Sequence, residues 1–155
     1  MRVGIAWRGN PRNRADRRRS IQIERFAQLG DIPGLRLFSL QKDDGDAPDD
    51  HPDWIETLGP DLDAGPGAFL DTAAVMMSLD LVITCDTALA HLAGALGRPV
   101  WVALHFVPDH RWMMDRDDSP WYPTMRLFRQ PAPGDWAAVF DEIALAIADF
   151  NRGSE

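Results

Sequence analysis

The apolar run Leu81-Val82-Ile83-Thr84 breaks at Cys85-Asp86-Thr87 and passes at once into Ala88-Leu89-Ala90-His91-Leu92-Ala93. A strand that runs straight into a helix exposes unpaired backbone N–H groups and the positive end of the helix dipole. Together these form a natural seat for a phosphate. Small residues at Thr87 and Ala88 let a diphosphate come close to that backbone. The Thr87 hydroxyl adds a donor, and His91, four residues on, lies over the same helix face. On local pattern alone, Asp86 can equally be a helix N-cap and His91 a surface histidine.

Other residues able to do chemistry fall after other apolar runs. Six arginines (Arg8, Arg12, Arg14, Arg17, Arg18 and Arg19) stand against the single Asp16 in residues 8–19. A guanidinium there can pair bidentately with a diphosphate, although the sequence does not choose among them. The stretch 105–125 carries His105, Asp109, His110, Arg111 and Trp112. Trp112 and Trp121, read as loop residues, are candidates for stacking on a base or sugar, whereas Trp101 and Trp136 read as core. No ligand spacing supports a metal site from His105, Asp109 and His110. Cys85 reads as a small buried residue rather than a nucleophile, and a lone cysteine excludes an internal disulfide.

These residues need a scaffold that brings several loops to one edge. Val3–Trp7 reads as a buried strand ended by Gly9-Asn10-Pro11. Residues 12–20 read as a loop, with Ser20 capping a helix that runs to about Leu29. Further strands are expected at Leu35–Leu40, Ile55–Leu58, Leu81–Thr84, Pro99–Leu104 and Met125–Phe128. Helices are expected from about Phe69, from Thr87 to Leu96, and after Asp135. The aspartate-rich stretch 43–53 reads as an exposed loop. Strands alternating with helices, and apolar runs rather than period-two alternation, predict an α/β fold: a Rossmann-like parallel sheet with helices on both faces. Such sheets bind ligands at the carboxyl ends of their strands. That rule directs attention to Gly9 and Asn10, Gln41 and Lys42, Asp86 and Thr87, and His105 onward.

The 155 residues fit a single domain over 1–155, and 45% hydrophobic with 26% charged residues is a globular balance. A net charge of −8 argues against a nucleic-acid binder. No apolar run is long enough to span a membrane and no secretory signal is visible, so the cytoplasm is the expected compartment.

The segment Asp86-Thr87-Ala88-Leu89-Ala90-His91-Leu92-Ala93-Gly94-Ala95-Leu96-Gly97-Arg98-Pro99-Val100-Trp101 closely resembles the donor-site motif of glycosyltransferase family 9, which contains the heptosyltransferases. The other blocks resemble the relative of that family found at the C-terminus of bacterial tetratricopeptide-repeat proteins. They are Gly4–Pro11, Arg17–Ser20, Ser39–Lys42, Asp80–Ile83, Asp118–Pro123 and Leu127–Gln130. The resemblance covers nearly the whole chain and implies the C-terminal, donor-binding half of a GT-B glycosyltransferase. By that likeness Thr87, Ala88 and their amides hold the diphosphate of a nucleotide sugar, Asp86 accepts from sugar hydroxyls, and His91 supports the phosphate side. Lys42, beside Gln41, sits near the nucleotide or diphosphate. Gly9 and Asn10 let the first loop approach the donor, Arg18 or a neighbour neutralises phosphate charge, and Arg111 and Trp112 flank the sugar. No metal or cofactor is implied.

The resemblance assigns the acceptor site and the catalytic base to an N-terminal half that this sequence lacks. A fragment is therefore expected, or a second polypeptide that supplies an acceptor domain or repeat region. The rival reading is a non-catalytic module that senses a nucleotide or nucleotide sugar. A dinucleotide dehydrogenase fits less well, because Trp7-Arg8-Gly9-Asn10-Pro11 lacks the G-x-G-x-x-G spacing.

Overall fold

A computed structural model describes residues 1–10, 12, 16–42 and 52–152, the last without its side chain. The stretch 43–51, expected to be an exposed loop, lies outside the described residues, as does Arg14. Among the described residues six strands form one all-parallel sheet: β1 (Arg2–Ala6), β2 (Arg36–Ser39), β3 (Ile55–Glu56), β4 (Leu81–Cys85), β5 (Val100–Leu104) and β6 (Met125–Arg129). Their order, β3-β2-β1-β4-β5-β6, steps outward from β1 in both directions. The carboxyl ends of β1 and β4 therefore flank the crevice where the winding reverses, and β1 pairs with β4 from Val3↔Leu81 to Ala6↔Thr84.

The near-continuous apolar strands are explained by cover on both faces. Alternate residues of β4 and β5 enter two separate cores: Leu81, Ile83, Trp101 and Ala103 on one side, Val82, Val100, Val102 and Leu104 on the other. The first core is closed by α5 (Trp136–Arg152) through Val139, Phe140, Ile143 and Ile147. The second is closed by α3 (Leu70–Met77) and α4 (Ala88–Ala95) through Met76, Leu89, Ala90 and Ala93. Asp135 caps α5, its carboxylate accepting from the Ala138 amide at 3.1 Å. Past α4, Gly97 at φ +66° makes the left-handed turn. The Gly97 and Arg98 amides then return to the Gly94 and Ala93 carbonyls, both at 3.0 Å, a Schellman closure.

The structure corrects the expectation for residues 12–29. The polar stretch contains a helical turn, α1 (Asp16–Arg19), and Ser20 closes that turn by donating to Asp16 at 2.9 Å instead of capping a following helix. The expected helix is a 3-10 turn (Ile23–Phe26) running into the single turn α2 (Ala27–Gly30). Phe26 and Leu29 reach the core from there without a regular α-helix. The third strand is also shorter than expected, only Ile55–Glu56.

Candidate functional site

The junction from β4 to α4 is buried up to Asp86 and then opens. Thr87, not Asp86, is the N-cap, extended at φ −135° and ψ 175°. Its hydroxyl makes no capping bond and pairs instead with that of Thr84 at 3.2 Å. The first amides of α4 are thus left without a side-chain acceptor, beside the exposed methyl of Ala88. An end that carries half a unit of positive charge and no cap favours an anion.

The loop after β1 folds across this crevice. Asp16, buried, accepts from the Gly9 amide at 3.1 Å and from Arg19 Nε at 3.2 Å. Arg19 Nη1 then donates to the Asp86 carbonyl at 2.9 Å, joining the β1 loop to the end of β4. Gly9 is required by its own loop: a Cβ there would meet Arg19 Nη2 at 2.5 Å and Asp16 Oδ1 at 2.6 Å. The space left by its missing side chain is therefore filled by Asp16 and Arg19. Asn10 is exposed and accepts from the Arg12 amide at 2.9 Å, an Asx turn. Arg18 is exposed and makes no hydrogen bond or ion pair with another described residue. It lines a 380 Å³ pocket with Arg17, His105, Phe106, Gln130 and Trp136. Gln130 builds two walls of that pocket, its Oε1 accepting from the Phe106 amide at 3.2 Å and the Gly134 amide at 2.9 Å.

At the end of β2, Gln41 accepts from the Arg8 amide at 3.1 Å and so ties two loops together. Lys42 donates to the Asp63 carbonyl at 2.8 Å. Asp63 is the largest omission of the sequence reading. It is buried with φ +53°, and its carboxylate accepts from the amides of Asp71 and Thr72 and from the Thr72 hydroxyl at 2.9, 3.3 and 2.5 Å. Asp71 returns the contact by accepting from the Asp63 amide at 2.9 Å. Asp63 thus caps α3 from six residues before Phe69, and the only sequence signal was an acidic residue upstream of an Asp-Thr pair.

Beyond β5, the loop delivers three side chains to His91. Trp112 is not the exposed stacking platform expected: it is 1% exposed and its ring lies parallel to His91, 5.2 Å centroid to centroid. Trp121 is exposed, and its Nε1 donates to the Arg111 carbonyl at 3.3 Å. His91 Nδ1 lies 3.1 Å from the Tyr122 hydroxyl and Nε2 lies 3.2 Å from Arg111 Nη1. Asp109 holds Arg111 through its Nε at 2.8 Å and its amide at 3.1 Å. Hydrogen bonds from Arg111 hold the Asp109 carboxyl below its usual range. Burial, then the Arg111 charge, lowers the His91 pKa, opposed by Asp86 and Asp109. Burial also lowers that of His105, again opposed by Asp86. Asp86 therefore acts electrostatically on His91, His105 and Arg111 together. Cys85 is fully buried and its thiol is pushed up to about 12, chiefly by that burial, so it is inert as a nucleophile. Among the described residues no group of three His, Cys, Asp or Glu side chains is arranged to hold a metal ion, and no helix is long and apolar enough to cross a membrane.

Asp86, Thr87, Ala88 and His91 thus lie at the β4–α4 junction, where His91 meets Arg111 and Trp112, and Arg19 ties the Asp86 carbonyl through Asp16 to Gly9. Gln41 braces the β1 loop, and Lys42 is directed to the Asp63 carbonyl. Arg18 faces the neighbouring pocket.

Residues 62–113 match the model of glycosyltransferase family 9 (heptosyltransferase), a span that includes Asp63, the whole β4–α4 junction and Trp112. Protein FlbA of Caulobacter vibrioides is 28% identical over 155 residues, covering 96% of this chain but 25% of that protein. The fold matches the E. coli heptosyltransferase WaaC with ADP at a TM-score of 0.57 and 18% identity, over 97% of this chain and 45% of the other. It matches E. coli ADP-heptose lps heptosyltransferase II at 0.58 and 15%, over 99% and 47%. The chain spans less than half the length of these solved relatives and a quarter of FlbA. A segment that matches the glycosyltransferase family 9 model thus sits on a fold similar to part of these solved heptosyltransferases.

Proposed function

We propose that this chain is the donor-binding unit of a glycosyltransferase and holds the diphosphate of a nucleotide sugar at the N-terminus of α4. The observation that carries this reading is the uncapped end of α4, flanked by two fixed guanidiniums: Arg19, bonded to the Asp86 carbonyl, and Arg111, bonded to His91. The family match spans this junction, and two structures of similar fold are E. coli heptosyltransferase WaaC with ADP and with ADP-2-deoxy-2-fluoro heptose. In this reading Thr87 and the amides that follow it bind the diphosphate, and Arg19 and Arg111 offset its charge. The Asp86 carboxylate, buried at the crevice, receives sugar hydroxyls. Gln41 and Lys42 frame the side toward β2, where the nucleoside would lie. The donor is a substrate, and the reading requires no cofactor.

The base that deprotonates the acceptor belongs to another half of the full-length protein, beside an acceptor domain or tetratricopeptide-repeat region, with cytoplasmic nucleotide sugar as donor. The test is calorimetric titration of the chain with ADP-, UDP- and GDP-sugars, followed by a turnover assay with the flanking region restored. Binding with turnover supports the transferase, and binding without turnover supports a nucleotide-sensing module. Failure to bind any of the nucleotides refutes both.

A further inference from the structure

The 380 Å³ pocket lies between α1, the segment after β5 and the turn that joins β6 to α5, and Gln130 sets its chemistry. Gln130 Oε1 lies 3.2 Å from the Phe106 amide and 2.9 Å from the Gly134 amide. Both amides are donors, so the atom between them is the oxygen and the NH₂ is the other terminal group. That NH₂ makes no hydrogen bond with a described residue. Gln130 is only 5% exposed and borders the pocket, so a nearly buried side chain turns two unpaired N–H bonds toward it.

Two more donors line the same space. Arg17 and Arg18 are exposed, and neither makes a hydrogen bond or ion pair with another described residue. No aspartate or glutamate lines the pocket, although the chain has a net charge of −8. Two guanidiniums and a carboxamide NH₂, all donors, match the oxygens of an anion. Much of the remaining lining is apolar: Phe106 and Val107, 41% and 65% exposed, with Pro133 and Trp136. Such surface covers a ring, and the volume is near the low end of the ~300–1,000 Å³ of small-molecule sites. None of Thr87, Arg19 and Arg111 lines this pocket, so its donors are not those of the α4 junction.

We infer that this pocket is a second small-molecule site, which takes a one-ring organic acid by its carboxylate or phosphate. Gln130 Nε2 and the Arg17 and Arg18 guanidiniums bind the oxyanion, while Phe106, Val107 and Trp136 cover the ring. The inference stands on the pocket alone and does not require a nucleotide sugar at α4.

The experiment is NMR titration of the ¹⁵N-labelled chain with glucuronate, glucose 6-phosphate, benzoate and phenyl phosphate, with glucose as the neutral control. The readouts are the Gln130 side-chain NH₂ signals, assigned by their loss in Gln130→Glu, and the Trp136 indole N–H. At least one acid is expected to shift both, carboxylate against phosphate telling which oxyanion is preferred, and glucose is expected to shift neither. Gln130→Glu keeps an oxygen for the two amides and replaces the free NH₂ by a second carboxylate oxygen, so binding is expected to be lost at the Trp136 signal. Arg18→Gln, at an exposed position, removes one charge-assisted hydrogen bond and is expected to weaken binding about tenfold, which keeps the test open if Gln130→Glu folds poorly. ADP is expected to leave the acid in place. No binding of any acid, binding unchanged in both variants, glucose binding as tightly as its 6-phosphate, or displacement of the acid by ADP overturns the inference.

Discussion

Replacing Arg19 by alanine removes a side chain that joins the β1 loop to the end of β4. Two interactions are lost, a charge-assisted hydrogen bond to the Asp86 carbonyl at 2.9 Å and an ion pair with Asp16 at 3.2 Å. The two side chains of that pair are 17% and 11% exposed, so solvent screens it far less than a surface pair. The hydrogen bond contributes about 1.5–3 kcal/mol. The ion pair adds less than a fully buried one, because Asp16 keeps two donors, the Gly9 amide and the Ser20 hydroxyl. The sum is about 2–4 kcal/mol, a large share of the ~5–15 kcal/mol that a domain of this size has. Arg19→Lys keeps the charge but cannot reach both partners with a compact ammonium, so roughly half of that loss is expected. Urea unfolding at constant m reads the change directly. A double-mutant cycle with Gly9→Ala adds a geometric check. The added methyl meets Arg19 Nη2 at 2.5 Å and Asp16 Oδ1 at 2.6 Å, so it is expected to cost about 1–3 kcal/mol in the parent and less once Arg19 is gone, with the part due to Asp16 remaining. A loss below about 0.5 kcal/mol for Arg19→Ala, together with no coupling to Gly9, would refute the bridge across the crevice.

Three further predictions concern the supports of the site. Asp63→Ala leaves the buried Thr72 hydroxyl and two α3 amides without their acceptor and is expected to cost about 2–4 kcal/mol in urea unfolding; a loss comparable to a surface substitution would contradict that capping role. Cys85, fully buried with its thiol pushed up to about 12, should react with a thiol reagent at pH 8 only at the rate of unfolding, and rapid labelling of the native chain would contradict this. Burial lowers the folded pKa of His91 and of His105, so the unfolded chain takes up these protons first as the pH falls. Their contribution is complete above the unfolded histidine value of about 6.5 and is lost as the pH falls toward the folded values. The urea midpoint should therefore drop between pH 7.5 and 5.5, and less steeply in a His91→Gln, His105→Gln double variant. Equal slopes would contradict the assignment.

Local signals were enough for the sheet. Leu81–Thr84 and Pro99–Leu104 are apolar without alternation, as only strands covered on both faces can be, and the order of alternating elements led directly to a parallel fold. The β4–α4 junction was legible too, since a strand ending at Asp86-Thr87 next to small helix formers leaves few other conformations. What escaped the sequence reading depends on partners distant in the chain. Asp16 looked like one acid among arginines, and its burial follows only from the Gly9 amide and Arg19 closing around it. Trp112 sits in a polar stretch, which suggested exposure. The loop is drawn inward because Arg129 donates to the Trp112 carbonyl at 2.5 Å and the ring finds His91. Tyr122 belongs to the Asp118–Pro123 block, but its place against Gly94 comes from the fold alone.

The most direct test of the central claim is calorimetric titration of ADP and of an ADP-sugar into the chain and into Thr87→Val and Asp86→Ala. The account predicts that the parent binds both ligands. Thr87→Val should weaken both, Asp86→Ala should weaken chiefly the ADP-sugar, and both variants should unfold close to the parent midpoint. Parent-like binding in both variants, or no binding by the parent, would contradict a donor site at the open end of α4.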